Sequence, residues 1–234
     1  LKPAHTTGQQ NQELKINIGV VGGTGAEGVG LAVRFAAAGH NVFIGSRSED
    51  RAIVAADEAT AALEVATSVG SISGGLNSAA CEMGEVIILS VPYAGQSDTL
   101  EAIRPQLAGK IVVNVIAPLR FSKGEAFAAP PAEGSAAEEA AKLCPEARWV
   151  AGFHTLPAGE LKNPNTSFEA DALICGDDAE AKSVILELAD QMTGLRGMDA
   201  GRLSSARYLE GATALLINMN KLHRTHFSVR ITGI

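Results

Sequence analysis

An apolar strand that runs directly into Gly23-x-Gly25-x-x-Gly28 constrains this chain more than any other feature. The stretch from Ile16 reads Ile-Asn-Ile-Gly-Val-Val-Gly-Gly-Thr-Gly-Ala-Glu-Gly. Leu31, Phe35 and Ala38 then carry a helical pattern, Gly39 stops it, and Asn-Val-Phe-Ile-Gly resumes as a second apolar strand ending at Gly45. Glycine spacing alone is weak; the strand–loop–helix–strand context is what marks a dinucleotide-binding unit. In that reading Gly23 permits the tight turn, Gly25 lets the backbone approach a pyrophosphate, and Gly28 lets the helix lie close to the strand. The helix start then offers free N–H groups and a partial positive charge to the phosphates. Cofactor contacts are expected at Gly22, Gly23, Thr24, Gly25, Ala26, Glu27 and Gly28. The plain alternative is a Gly-rich turn that only packs strand on helix.

The end of the second strand chooses the cofactor. An NAD site carries Asp or Glu there, to accept from the ribose hydroxyls. This strand ends in Gly45-Ser46-Arg47, with Arg51 one helical turn on and nothing acidic where the ribose would be read. A Ser hydroxyl and two guanidinium groups suit a 2′-phosphate, because Arg forks onto phosphate oxygens. Glu49 and Asp50 lie past the strand end and suit the start of the next helix. NADP(H) is therefore favoured over NAD(H). The competing reading makes Arg47 and Arg51 ordinary solvated helix charges.

A chain of 234 residues can bury a sizeable core, as one large domain or as one domain plus a small cap. With 46% hydrophobic and 19% charged residues it is globular rather than disordered, and no run approaches a membrane span. A net charge of −7 argues against a nucleic-acid or anionic-membrane partner, which would need a basic face. Cys81, Cys144 and Cys175 are odd in number and widely spaced, so neither a disulfide framework nor a metal site is indicated. They read as buried thiols in a reducing cytosol. Leu1–Lys15 is a polar leader without the apolar core of a signal peptide. The chain does not begin with Met, which leaves its natural start open.

Strands and helices continue to alternate. Residues 48–66 and 78–84 read as helices, with Ser71–Asn77 between them as a Gly/Ser turn region or a short strand. Glu85–Pro92 is a continuous apolar run, the signature of a buried parallel strand. A helix at Ser97–Leu107 and a strand at Lys110–Ile116 follow. The fold class this implies is α/β, a doubly wound Rossmann-type parallel sheet with a smaller C-terminal α/β part. The boundaries are a leader at 1–15, an NADP-binding domain at 16–150 and a C-terminal part at 151–234, the alternative being one continuous domain. Ala117–Ser135, rich in Pro and small residues, is the loop or lid candidate. Ala136–Cys144 is helical, Trp149–His154 and Asp171–Gly176 read as strands, and Ala179–Thr193 as a helix. Leu203–Arg224 is a longer helix whose apolar face (Leu209, Ala212, Leu215, Leu216, Met219, Leu222) is either core or a subunit contact. Phe227–Ile234 is expected as a closing edge strand.

Ligands of open α/β sheets bind beyond the carboxyl ends of the strands. Ser90-Val91-Pro92, Ala117-Pro118-Leu119 and His154-Thr155-Leu156-Pro157-Ala158 should converge there with the glycine loop. His154 is either a general acid or a group that only orients reactants; no partner carboxylate is evident to tune it. The Tyr–Lys pair of short-chain dehydrogenases, the Gly-x-Ser-x-Gly elbow and the P-loop are all absent. Such a site positions reactants and does little acid–base work, which suits direct hydride transfer between two redox cofactors.

Val20-Val21-Gly22-Gly23-Thr24-Gly25, Gly39-His40, Gly45-Ser46-Arg47, Ser90-Val91-Pro92, His154-Thr155-Leu156-Pro157-Ala158, Cys175-Gly176-Asp177-Asp178 and Asp199-Ala200-Gly201 fall in the order seen in the F420H2:NADP oxidoreductases. From Lys15 onward the chain resembles that family along nearly its whole length. The polar leader and the segment from Arg120 to Gly134 depart from its pattern. The resemblance implies NADP(H) in the glycine crevice, coenzyme F420 stacked on the nicotinamide, and hydride passing between the two rings. It implies NADP contacts at Thr24, Gly25, Ser46, Arg47, Arg51 and Ser90–Pro92. His154, Thr155 and Ala158 would lie by the reacting rings, with His154 in a positioning role, and Pro118, from its strand-end place, would shape the nicotinamide pocket. Arg120, Lys123, Arg202 and Arg207 are the basic candidates for an acidic deazaflavin tail. The expectation is a cytoplasmic homodimer or higher homo-oligomer. The alternatives are a reductase of a small imine, ketone or flavin-like acceptor on the same scaffold, and a non-catalytic NADP(H)-sensing module.

Overall fold

The computed structural model describes residues 15–63 and 70–233. The leader up to Leu14 and the end of the helix expected over 48–66 lie outside the described residues. The chain alternates from the start: β1 (Asn17–Val21), α1 (Ala26–Ala37), β2 (Asn41–Ser46), α2 (Glu49–Leu63), β3 (Ser71–Leu76), α3 (Asn77–Met83), β4 (Val86–Leu89), α4 (Gln96–Leu107) and β5 (Ile111–Asn114). A hairpin of β6 (Leu119–Ser122) and β7 (Glu125–Ala128) interrupts the rhythm. It resumes with α5 (Ala136–Leu143), β8 (Arg148–Ala151), α6 (Ala158–Leu161), β9 (Ala170–Gly176), α7 (Ala179–Asp190), β10 (Leu195–Asp199) and α8 (Ala206–His223).

Eight strands form one sheet in the order β3-β2-β1-β4-β5-β8-β9-β10. All its neighbours pair in parallel except β8 with β9. Chain direction across the sheet reverses between β1 and β4, the switch point at which a crevice opens above the strand ends. Successive strand residues face opposite sides. Val20, Ile88 and Val113 join a core with Leu31 of α1, Ala55 of α2 and Ile185 of α7. Val21, Ile87, Leu89 and Val112 join another with Leu100 of α4, Ala140 of α5 and Leu209 of α8. Helices on both faces explain why the central strands are apolar without alternation. Each fully buried Ile or Leu contributes about 1.5–3 kcal/mol. Local chemistry sets the helix ends: Ser135 accepts from the Glu138 N–H and Asp178 from the Ala181 N–H as N-caps, and Gly39 leaves α1 at φ +100°.

Four details differ from expectation. Ser71–Leu76 is a full edge strand, with Gly74 placed where an added Cβ would lie 2.3 Å from the Ala52 carbonyl of α2. The lid candidate contains the β6–β7 hairpin, whose turn residues Lys123 and Gly124 both have positive φ (50° and 81°), the geometry of a two-residue type I′ turn. Asn218 of α8 holds it by bonding both the N–H and the carbonyl of Ala126. Strand β10 carries no apolar run and forms by pairing with β9. Residues 227–233 form no strand; Asp171 ties them to β9, its N–H donating to Val229 O and its carboxylate accepting from the Ile231 N–H. Among the described residues no helix is long and apolar enough to cross a membrane.

Candidate functional site

A cleft of about 1090 Å³ opens at the carboxyl ends of β1, β2, β4 and β5. Of the residues expected to contact a cofactor, Gly22, Thr24, Gly25, Ala26, Glu27, Ser46, Arg47, Arg51, Ser90, Val91 and Pro92 line it, and Gly23 and Gly28 do not. A smaller hollow of about 320 Å³ shares Ser46, Arg47, Asn77, Asp98 and Thr99 with it and continues to Leu76 and Ile103.

The glycines divide the work differently from the sequence reading. The left-handed residue of the turn is Gly22, at φ +69°, rather than Gly23. Gly23 is demanded by packing: an added Cβ would meet the Val20 side chain at 2.8 Å and the Val20 carbonyl at 2.9 Å. At Gly28 a Cβ would fall 2.6 Å from the Gly23 Cα, so this glycine seats α1 on the loop. At Gly25 a Cβ would meet nothing within 4 Å, so the space above it is open to the cleft. The loop is braced from below, where the Gly22 N–H donates to Asn77 Oδ1 (3.1 Å) and the Gly23 N–H to Gly45 O (2.9 Å). Glu27 follows in the first turn of α1. Its Oε1 is shut off from water without a hydrogen-bond partner among the described residues, and burial pushes the carboxyl up to about 8.

At the end of β2 the buried Ser46 hydroxyl accepts from the Ser48 N–H (3.2 Å). Arg47 and Arg51 are exposed on the cleft, and neither side chain has a partner among the described residues. On the opposite wall Tyr93 follows Ser90–Pro92 and donates its hydroxyl to Glu139 (3.2 Å). Burial, reinforced by Glu139, raises that phenol above its ordinary range. A buried chain of amides supports the wall: Asn114 accepts from the Ile116 N–H and donates to Gln96, which donates to Glu139.

His154, Thr155, Ala158 and Pro118 are not among the residues lining the cleft. His154 sits beyond the end of β8, after Phe153 at φ +66°, where the strand expected through residue 154 has already stopped. Its ring is buried, and neither nitrogen has a hydrogen-bond partner among the described residues. Burial pulls it down to about 4 against an opposing pull from the Ile116 backbone, so the imidazole is neutral near pH 7. Its carbonyl accepts from the Thr213 hydroxyl of α8 (3.1 Å). Thr155 is buried beside it, Ala158 opens α6, and Pro118 leads into the hairpin, its carbonyl accepting from the Ala129 N–H. Arg202 and Arg207 are paired with Asp177 and Glu138, whereas Arg120 stacks on the Phe127 ring and Lys123 has no partner among the described residues. The three cysteines are buried thiols, and burial pushes Cys81 and Cys175 up to about 12.

Asn77, Asp98 and Thr99 escaped the sequence reading. Asn77 carried a faint signal, standing at a strand end directly after Gly74-Gly75-Leu76. Asp98 and Thr99 carried none, being ordinary residues in the first turns of α4.

The family model described as coenzyme F420-dependent NADP oxidoreductase matches residues 17–118. The F420-dependent NADP reductase of Methanocaldococcus jannaschii is 35% identical over 94% of this chain and 99% of its own length. That of Methanothermobacter thermautotrophicus is 36% identical over 94% of this chain and 96% of its own length. This chain belongs to the F420-dependent NADP reductase family. The crystal structure of a candidate F420-dependent NADP reductase from Arthrobacter sp. FB24 superposes with a TM-score of 0.76 and 25% identity, covering 93% of this chain and all of that one. In this member of the F420-dependent NADP reductase family the residues present fit a dinucleotide. Gly25 faces open space, the first turn of α1 lines the cleft at Ala26 and Glu27, and Arg47 and Arg51, without a partner among the described residues, lie with Ser46 on its rim.

Proposed function

We propose that this chain is an oxidoreductase that passes hydride between NADP(H) and coenzyme F420. The observation that carries the reading is Arg47 and Arg51 beside Ser46, without partners among the described residues, on the cleft of a chain of this family. The α1 start would receive the pyrophosphate, Ser46 and the two Arg side chains the 2′-phosphate, and Ser90–Pro92 the ribose on the nicotinamide side. The hollow by Ile103 and Thr99 would take the adenine. When bound, the nicotinamide and deazaflavin rings supply the two-electron chemistry; the protein's part is to bind and orient them. His154, Thr155, Ala158 and Pro118 would support the wall nearest the rings, with His154 neutral and acting by position. Of the four basic candidates for the deazaflavin tail, Arg120 and Lys123 on the hairpin are those without a carboxylate partner among the described residues.

The deciding experiment is anaerobic mixing of the protein with NADPH and oxidised F420. Loss of the deazaflavin absorbance in step with NADPH oxidation is the expected outcome. NADPH oxidation by an imine, ketone or flavin but not by F420 would favour the other reductase reading. Binding with no acceptor at all would favour a sensing module.

The same proposal divides the chain into an NADP-binding part, 16–150, and a C-terminal part, 151–234, and places it in the cytoplasm, where buried thiols stay reduced. It includes a homodimer. The apolar face expected on the last helix splits in two: Leu209 and Leu216 are buried, while Tyr208, Leu215 and Leu222 are exposed along one stripe of α8. That stripe would meet its copy. Light scattering of the wild type and of Leu215→Glu/Leu222→Glu checks this, with a halved mass expected for the variant.

A further inference from the structure

Glu27 is an acid in the turn that the proposed function gives to a pyrophosphate. It is the second residue of α1, and it lines the cleft with Gly25 and Ala26. An acid at a helix start is ordinarily favourable, because the free N–H groups carry partial positive charge. Here those N–H groups are what a phosphate would use. Glu27 is half-buried, and its Oε1 atom is out of contact with water and has no hydrogen-bond partner among the described residues.

The charged and titratable groups of the surrounding elements do not compensate. Arg47 follows β2, Arg51 lies on α2, Asp98 on α4 and Tyr93 after β4, and among the described residues no hydrogen bond or ion pair joins any of them to Glu27. His154, whose ring faces the Ile116 backbone, is neutral near pH 7. A carboxylate left there would face the pyrophosphate charges at low dielectric, where repulsion is strong. A protonated carboxyl removes the repulsion and gains an O–H that can donate to an oxygen of the ligand.

We infer that NADP(H) binding to this chain is coupled to protonation of Glu27, whose carboxyl group stays uncharged while the dinucleotide is bound. This rests on reading the cleft as the NADP(H) site. Burial already lifts the carboxyl to about 8 in the free protein. Binding lifts it further, so affinity falls as pH rises past that value. The interval from pH 7.5 to 9.5 isolates the effect. Glu210 on α8 titrates near 7, Cys81 and Cys175 near 12 and Tyr93 above the ordinary phenol range. A phosphate monoester is fully ionised above a pKa of about 6.

The test is calorimetric titration with NADPH at several pH values, for wild type and Glu27→Gln. The wild-type Kd should rise about tenfold per pH unit above pH 8. Binding at pH 8 should take up about half a proton per site, read from two buffers of different ionisation enthalpy. Glu27→Gln, which keeps a donor but cannot titrate, should bind with a flat profile and no uptake. In the cofactor-free protein the ¹³C resonance of the Glu27 carboxyl should titrate near pH 8. A flat wild-type Kd without proton uptake, or the same rise in Glu27→Gln, overturns the inference and leaves NADP(H) binding standing. No NADPH binding by the wild type at pH 7.5 overturns the NADP(H) reading and this inference with it. Should Glu27→Gln not fold, wild-type proton uptake and the carboxyl titration decide alone.

Discussion

Gly25 and Gly28 belong to one motif, yet the fold asks opposite things of them. An added Cβ at Gly25 meets open space, while one at Gly28 falls 2.6 Å from the Gly23 Cα. Gly25→Val should therefore keep its denaturation midpoint and lose NADPH affinity by roughly a hundredfold, through exclusion of the pyrophosphate. Gly28→Val should instead lose about 1–3 kcal/mol of stability. Calorimetry together with urea melts separates the two effects. Arg47, unpaired beside Ser46, is assigned to the 2′-phosphate. Arg47→Ala should raise KM for NADPH about ten- to a hundredfold, the value of a charge-assisted hydrogen bond, and leave KM for NADH nearly unchanged. Equal effects on both cofactors would remove the phosphate assignment. His154 is held neutral by burial, so it has no proton to give near pH 7. His154→Asn should lower kcat/KM for F420 about ten- to a hundredfold and leave the shape of the pH profile unchanged. A limb near neutral pH that disappears in the variant would make His154 a general acid.

Among the elements, α1 carries more than its phosphate-facing end. Its Gly30 lets α6 approach so closely that a Cβ would sit 2.5 Å from the Leu161 side chain. Four residues on, the fully buried Arg34 reaches across to the segment that follows His154. Its guanidinium donates to the carbonyls of Glu160 (2.8 Å), Leu161 (3.0 Å) and Thr166 (2.6 Å), and lies over the Phe168 ring. The Leu161 carbonyl closes α6 and has no other donor among the described residues, whereas the Glu160 carbonyl also accepts from the Asn163 N–H. Burial lowers the guanidinium to about 10, with Glu160 opposing, so it remains charged at neutral pH. Helix α1 thus presents the glycine loop at one end and anchors residues 160–166 along its side. Arg34→Met should cost about 2–4 kcal/mol in urea unfolding, because buried carbonyls lose their donors. It should also lower kcat more than Arg34→Lys does, as the 154–166 segment loosens. Unchanged stability in Arg34→Met would show that the bonds are dispensable.

At the scale of the whole molecule, buried acids govern how stability depends on pH. Glu27 and Glu210 have folded pKa values raised by burial, to about 8 and about 7, above their unfolded range. Between the unfolded and folded values the native state binds more protons than the unfolded chain, so stability falls as pH rises through that window. His154 works the other way. Its folded value near 4 lies below the unfolded one, so it adds stability as pH rises from about 4 to 6.5. Between pH 6.5 and 8 the two acids set the slope, and the raised thiols and the lowered Arg34 guanidinium act at higher pH. The cofactor-free protein should lose roughly 1–2 kcal/mol between pH 6.5 and 8, measured by chemical denaturation. Glu27→Gln should remove most of that slope. Below pH 4 the order changes again: Asp171, Asp178 and Asp199, held low by Arg196, Arg148 and Lys182, become protonated and their pairs are lost.

Local pattern determined much of this protein. The glycine loop, the helix after it and the unbroken apolar runs at Val20–Val21 and Val86–Leu89 announce a doubly wound sheet, because only a strand covered on both faces can be apolar at every position. Ser46-Arg47 with no acid beside it announced the cofactor preference for the same kind of reason: the residue type is itself the chemistry. What depends on partners distant in sequence was decided only by the tertiary structure. Strand β10 is mixed in character and exists because β9 lies alongside it. The left-handed turn belongs to Gly22 rather than Gly23, because Asn77, 55 residues later, holds the Gly22 N–H. Residues 227–233 pass to Asp171 instead of forming a strand. The protonation states of Glu27 and His154 follow chiefly from burial, and burial is a property of what surrounds a residue, which no single stretch of chain contains.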